Sequence, residues 1–194
     1  MELLLLGARL FLGVTFLSAS IPKLFAPRDF RRALTNYQLL PVWLVAPVAT
    51  WLPRFELLIA AALLTGLATT ITATIAGLAL LAFSVAVGVN LARGRSIECG
   101  CFGGASPRRI TWRLVFRDVV LGAGALAVAV HPPATWVGVG WPVVTSGAVP
   151  MNEAFALLFA ATLAVVIEQV VAEWERLQTT VSAVPSELAE ELPG

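Results

Sequence analysis

From Thr69 to Leu91 the chain carries no charged side chain. Crossing the hydrocarbon core of a bilayer takes about 20 mostly apolar residues in a helix, where every backbone polar group is satisfied within the segment. Four other runs approach that length, near 3–21, 42–64, 114–130 and 154–172. Arg9 interrupts the first, and Arg54 and Glu56 with Pro47 and Pro53 interrupt the second. Arg117 and Asp118 lie near the start of the fourth, and Glu168 and Gln169 weaken the last. Charged residues make up 13% of the chain, about half the share a soluble domain uses to solvate its surface. The expected fold class is an all-α integral membrane protein: a four-helix transmembrane bundle plus a fifth, C-terminal transmembrane helix. It forms a single domain over 1–177, and the Ser/Thr/Glu-rich stretch 178–194 is expected to be a short disordered tail. The first run is read as a span and not as a cleaved leader, because Glu2 precedes it and Arg9 lies inside it.

The net charge of +1 gives no basic surface for nucleic acid, so the lipid bilayer is the expected partner. With five spans, one side of the membrane receives 21–41, 92–113 and the C-terminal tail, which hold Lys23, Arg28, Arg31, Arg32, Arg93, Arg95 and further arginines. The opposite side receives the N-terminus, the 65–69 turn and the loop 131–152, which contain no Lys or Arg. Basic loops stay in the cytoplasm. The expected topology is therefore a multi-pass plasma-membrane protein with its N-terminus outside and the 92–113 loop inside. Trp136 and Trp141 in the outer loop fit an interfacial position. The segment Ile21–Arg32 reads as a basic, aromatic-spaced helix resting on headgroups.

Both cysteines of the chain lie in the 92–113 loop, in Glu98-Cys99-Gly100-Cys101-Phe102-Gly103-Gly104. A disulfide requires Cα atoms about 4.4–6.8 Å apart, which one intervening residue allows when the backbone turns, and Gly100 has no Cβ to forbid the turn. So small a ring is strained and exchangeable and closes almost no loop, so it contributes little stability. Arg93, Arg95, Arg108 and Arg109 flank the pair against Glu98 alone, which favours the nucleophilic thiolate. Cys99 and Cys101 are the expected catalytic residues of a thiol–disulfide oxidoreductase. Two competing readings stay open: a soft-metal site using the two thiolates, and a structural turn in a non-catalytic scaffold of a redox complex. A closed zinc site is not expected, because it needs four ligands.

Ionisable groups inside spans are costly and usually paired or functional. Arg9 and Glu56 are expected at similar depth on facing helices as a structural pair. Asp118, beside Arg117, reads as either a helix-start charge or a proton acceptor for thiol exchange. Asn90 is expected to cap the reversal into the cysteine loop. No cofactor is evident. A quinone is compatible with redox chemistry, but the apolar pocket it needs is not legible in one chain.

Several stretches together resemble the MauE family, the methylamine-utilisation membrane proteins related to the DoxX group. They are Lys23-Leu24, Asn36-Tyr37-Gln38-Leu39-Leu40-Pro41, Leu52-Pro53-Arg54-Phe55-Glu56, Asn90-Leu91-Ala92-Arg93-Gly94-Arg95 and the Cys-Gly-Cys-Phe-Gly run. The resemblance covers roughly 1–130, and Asp118 stands where the family pattern leads one to expect Asn. It implies a thioredoxin-like partner and a role for Cys99 and Cys101 in disulfide maturation of exported proteins. That maturation is extracytoplasmic whereas the loop charges place the pair inside, so one pair serves both faces only if it is reached through the bundle.

Overall fold

The computed structural model describes residues 2–95, 97, 110–132 and 151–183. These form six helices and, among the described residues, no strand. They are α1 (Glu2–Phe25), α2 (Pro27–Tyr37), α3 (Val42–Thr65), α4 (Thr69–Ala92), α5 (Trp112–Val130) and α6 (Met151–Ala183). By length and apolarity α1, α3 and α4 suffice to cross a membrane, and α6 contains a shorter apolar stretch, Ala156–Val171. The outer face of α4 is lined by exposed Ile71, Ile75, Leu78 and Val85, a continuous apolar stripe that hydrocarbon solvates and water does not. The all-α membrane fold expected from the apolar runs is the fold observed.

Two helix pairs carry the packing. α1 lies against α3 and α4 against α5, while the neighbours α3 and α4 touch far less despite their short turn. Small residues explain both contacts. A Cβ on Gly13 of α1 would meet the Leu64 side chain of α3 at 2.8 Å. One on Gly77 of α4 would approach the carbonyl oxygen of Gly122 of α5 to 3.2 Å. Close backbone approach of this kind drives helix association where lipid removes the hydrophobic incentive. At the end of the bundle that holds the N-terminus, Leu12, Leu63, Ala73, Ala76, Ala125 and Val128 interlock in one core. α6 runs alongside α1, with Ala161 and Val165 packed on Val14.

Three boundaries depart from the sequence expectation. α1 continues four residues past Ile21, through Pro22 to Phe25, which brings Lys23 inside the bundle, 6% exposed. The interfacial helix starts later, at Pro27, and buries Phe30, Ala33 and Tyr37 on one stripe while Arg28, Asp29, Arg31 and Arg32 stay exposed. α6 runs to Ala183, through residues expected to be disordered, because no Gly or Pro interrupts it before Pro185. The remainder of that tail, 184–194, lies outside the described residues, as does most of the loop 131–152.

A buried-charge cavity at the basic end

Away from the small-residue core, towards the end carrying the basic loops, the helices stop interlocking and enclose a cavity of about 370 Å³. Its walls come from α1, α2, α3, α4 and α5. Most of the lining is apolar, with Phe16, Phe30, Phe55 and Phe83 supplying rings. Lys23, Glu56, Arg117, Asp118 and Tyr37 supply the polar groups. Phe55 and Leu39 are lining residues that are also exposed on the outer surface, so the cavity reaches the lipid-facing side.

Lys23 donates to both carboxylate oxygens of Glu56, at 2.6 and 2.7 Å, and its ammonium lies 5.2 Å from the Phe30 ring centroid. One side chain thus ties α1 to α3 and to α2. Arg117 holds Asp118 at 2.8 Å and Glu168 of α6 at 2.6 Å. Asp118 is 1% exposed. It is not a solvated helix-start charge, because it lies beyond the first turn of α5 and turns into the bundle. Its Oδ1 is held by Arg117, while its Oδ2 has no hydrogen-bond partner among the described residues. Burial, together with the charge of Asp118, pushes the Tyr37 phenol well above its ordinary value, so that it stays protonated.

The pairing of Arg9 with Glu56 expected from the sequence is corrected by the register. Gly13 sits beside Leu64, and Glu56 lies eight residues farther along α3, roughly 12 Å at 1.5 Å per residue. Arg9 is four residues from Gly13 in the direction of the opposite end. It is fully buried there and does not line the cavity. Sequence reasoning missed Lys23, Tyr37 and Glu168 as members of the charged cluster. Their spacing gave no signal, because Lys23 lies two residues from the basic end of α1 and Glu56 fourteen from that of α3.

The cysteine loop is anchored beside this cavity. Cys99, Gly100 and Cys101 lie outside the described residues. Ile97 and Ile110, which flank them, are joined by a backbone hydrogen bond of 3.0 Å from Ile110 N–H to the Ile97 carbonyl. Both belong to a cluster with Tyr37 and Val87. Arg95 reaches the carbonyls of Asn36 and Tyr37 at 3.5 Å and Asn90 Oδ1 at the same distance. Asn90 also donates to the Ala86 carbonyl at 3.0 Å within α4, and the C-cap of that helix is Arg93, not Asn90 as the sequence led one to expect. Arg93 is exposed at the end of α4.

Residues 1–130 match the family model described as Methylamine utilisation protein MauE. The chain is 35% identical over 133 residues to the methylamine utilization protein MauE of Paracoccus denitrificans, covering 68% of this chain and 72% of that one. It is 36% identical over 156 residues to the protein of that name from Paracoccus versutus, covering 80% and 83%. A third relative of that name, from Methylophilus methylotrophus, is 40% identical over 127 residues, covering 64% and 67%. No solved structure matches the chain. The matched region spans α1 to α5, and with them every lining residue of the cavity and both cysteines.

Proposed function

Because the chain belongs to the methylamine utilisation protein MauE family, we propose that it is a membrane thiol–disulfide oxidoreductase. Cys99 and Cys101 exchange electrons with a thioredoxin-like partner in disulfide maturation of exported proteins. In the oxidising direction, a thiolate of the partner attacks the Cys99–Cys101 disulfide, which breaks the S–S bond and forms a mixed disulfide. The partner's second thiol then displaces the remaining cysteine, so the partner leaves oxidised and both thiols here are reduced. The observation that supports this reading is the anchoring of the loop. Ile97 and Ile110, which flank the Cys-Gly-Cys stretch in the sequence, are hydrogen-bonded to each other and pack in one cluster with Tyr37, so both ends of that stretch start from a bundle end rich in cations.

The proposed location is the plasma membrane, with the N-terminus outside and the Cys-Gly-Cys loop at the cytoplasmic end. The test is thiol trapping. With Cys101→Ser or Cys99→Ser, one of the two variants accumulates a mixed disulfide with a soluble thioredoxin-like protein, released by reductant. In the unchanged chain, mass-tagging of thiols shows a pair that opens and closes with the redox poise. A pair that stays reduced under oxidising conditions and binds Cu(I) or Hg(II) tightly would replace this reading with the soft-metal one.

A further inference from the structure

We infer that the cavity at the basic end is the binding site of a membrane-soluble quinone and its hydroquinone, with a hydroxyl of the reduced form donating to Asp118 Oδ2. Four features of the site converge on that chemistry. The volume, about 370 Å³, lies within the range of small-molecule sites, about 300–1,000 Å³. The lining is apolar and ring-rich, which suits a planar aromatic head, and it reaches the lipid-facing surface at Phe55 and Leu39, which suits a ligand dissolved in the bilayer. The polar groups are gathered in one cluster, as for a ligand with a polar head and an apolar tail. Finally, a carboxylate oxygen on a side chain 1% exposed has no partner among the described residues. Buried polar atoms are nearly always hydrogen-bonded, and a carboxylate oxygen accepts, so the group that satisfies it must carry a donor. A fatty acyl chain has none, whereas a hydroquinone has two.

The electron step rests on the oxidoreductase reading and completes it. Reoxidation of the Cys99 and Cys101 dithiol breaks two S–H bonds and forms one S–S bond. The two electrons and two protons convert the carbonyls of the quinone to hydroxyls. The quinone is the oxidant, and the hydroquinone returns to the bilayer. The tethering of both loop ends to Tyr37, itself a cavity-lining residue, brings the start and end of the thiol segment to the site's edge.

The test uses the full chain in phospholipid nanodiscs, titrated calorimetrically with decylubiquinone and with decylubiquinol. The expected result is one saturable site that prefers the quinol. Asp118→Asn, which keeps the side chain's size but presents an amide, weakens quinol binding about tenfold or more, the scale of a hydrogen bond to a charged group. Ala82→Phe, at an exposed position on the cavity wall, weakens both forms and tests the site should Asp118→Asn fail to fold. Partitioning equal to that of protein-free nanodiscs overturns the inference, as does unchanged quinol binding in a folded Asp118→Asn variant. Displacement of both probes by phospholipid alone also overturns it and makes the cavity a lipid site. Thiols that cycle with glutathione disulfide in a chain that binds no quinone overturn this inference and leave the oxidoreductase reading standing. Asp118-dependent binding in a chain whose thiols never cycle does the reverse.

Discussion

Lys23 joins its own helix α1 to two others through one ammonium group, bonded to both oxygens of Glu56 and set over the ring of Phe30. The two side chains of the ion pair are 7% and 14% exposed, so loss of either leaves a charge stranded in a low-dielectric interior. Breaking such a pair from one side typically costs about 3–5 kcal/mol, whereas removing both charges is often close to neutral. Lys23→Met and Glu56→Gln should therefore each lower the yield and melting temperature of folded protein, and the double variant should recover most of both. Arg9→Leu combined with Glu56→Gln should instead be additive to within about 0.5 kcal/mol, as for sites without shared partners. Coupling between Arg9 and Glu56 in that cycle would show the register to be wrong. Tyr37 makes a second prediction at this scale. Its phenol is raised from 10.0 because burial penalises the phenolate, so the folded state holds the proton where the unfolded chain releases it. That contribution is fully present below about pH 10 and is lost as pH rises through the folded value. Melting curves should show a smaller alkaline loss of stability in Tyr37→Phe than in the unchanged protein.

The helices differ in how they are held. α4 meets α5 through Gly77 and Gly122, where a Cβ at Gly77 would lie 3.1 Å from the Leu126 side chain and 3.2 Å from the Gly122 carbonyl oxygen. The backbone atom cannot move aside as a side-chain tip can. Gly77→Val should destabilise by about 1–3 kcal/mol, the usual scale of overpacking, and should loosen α4 from α5 in thermal unfolding. The same change at Gly88 or Gly124, where nothing lies within 4 Å, should cost less, and equal losses at all three positions would remove the packing argument. Between α3 and α4 the chain turns through Gly66 at φ 77°, a left-handed cap suited to glycine. The hairpin so formed is a connection more than a packing unit, because its arms belong to different pairs.

The whole molecule is polarised along its axis. Trp43, Trp112 and Trp174 are all exposed and come from the start of α3, the start of α5 and the late turns of α6. In a bundle of alternating direction these three positions share one end. Exposed tryptophans at one end mark a membrane interface, and this is also the end that carries α2 with Arg28, Arg31 and Arg32, and Arg93 after α4. The belt and the basic residues therefore indicate the same end, and under the proposed orientation the inner leaflet's negative surface would attract those cations. In a cysteine-free variant of intact cells, an impermeant maleimide should label a cysteine at Ser146→Cys and fail to label one at Ser106→Cys. The reverse pattern would put the thiol loop on the outer face, where exported proteins reach it directly.

The solvent and the number of helices were legible in the chain alone, because run length and charge depletion are local properties that a bilayer reads directly. The sequence also singled out Cys99 and Cys101, whose spacing and basic neighbours are adjacent in the chain. It did not determine which charges meet. Arg9 and Glu56 each looked like a lone intramembrane charge in need of a partner, but helix register depends on where backbones can approach, and that is set by Gly13 against Leu64. Lys23 lay past the expected end of α1, and a proline before it concealed that the helix continues. The cavity was still less legible, since it exists where α1 with α3 and α4 with α5 cease to interlock and α2 covers the gap. A void is a relation among five helices. No single stretch of the chain encodes it, and so the tertiary structure alone decided that Tyr37, Lys23, Glu56, Arg117 and Asp118 face one another.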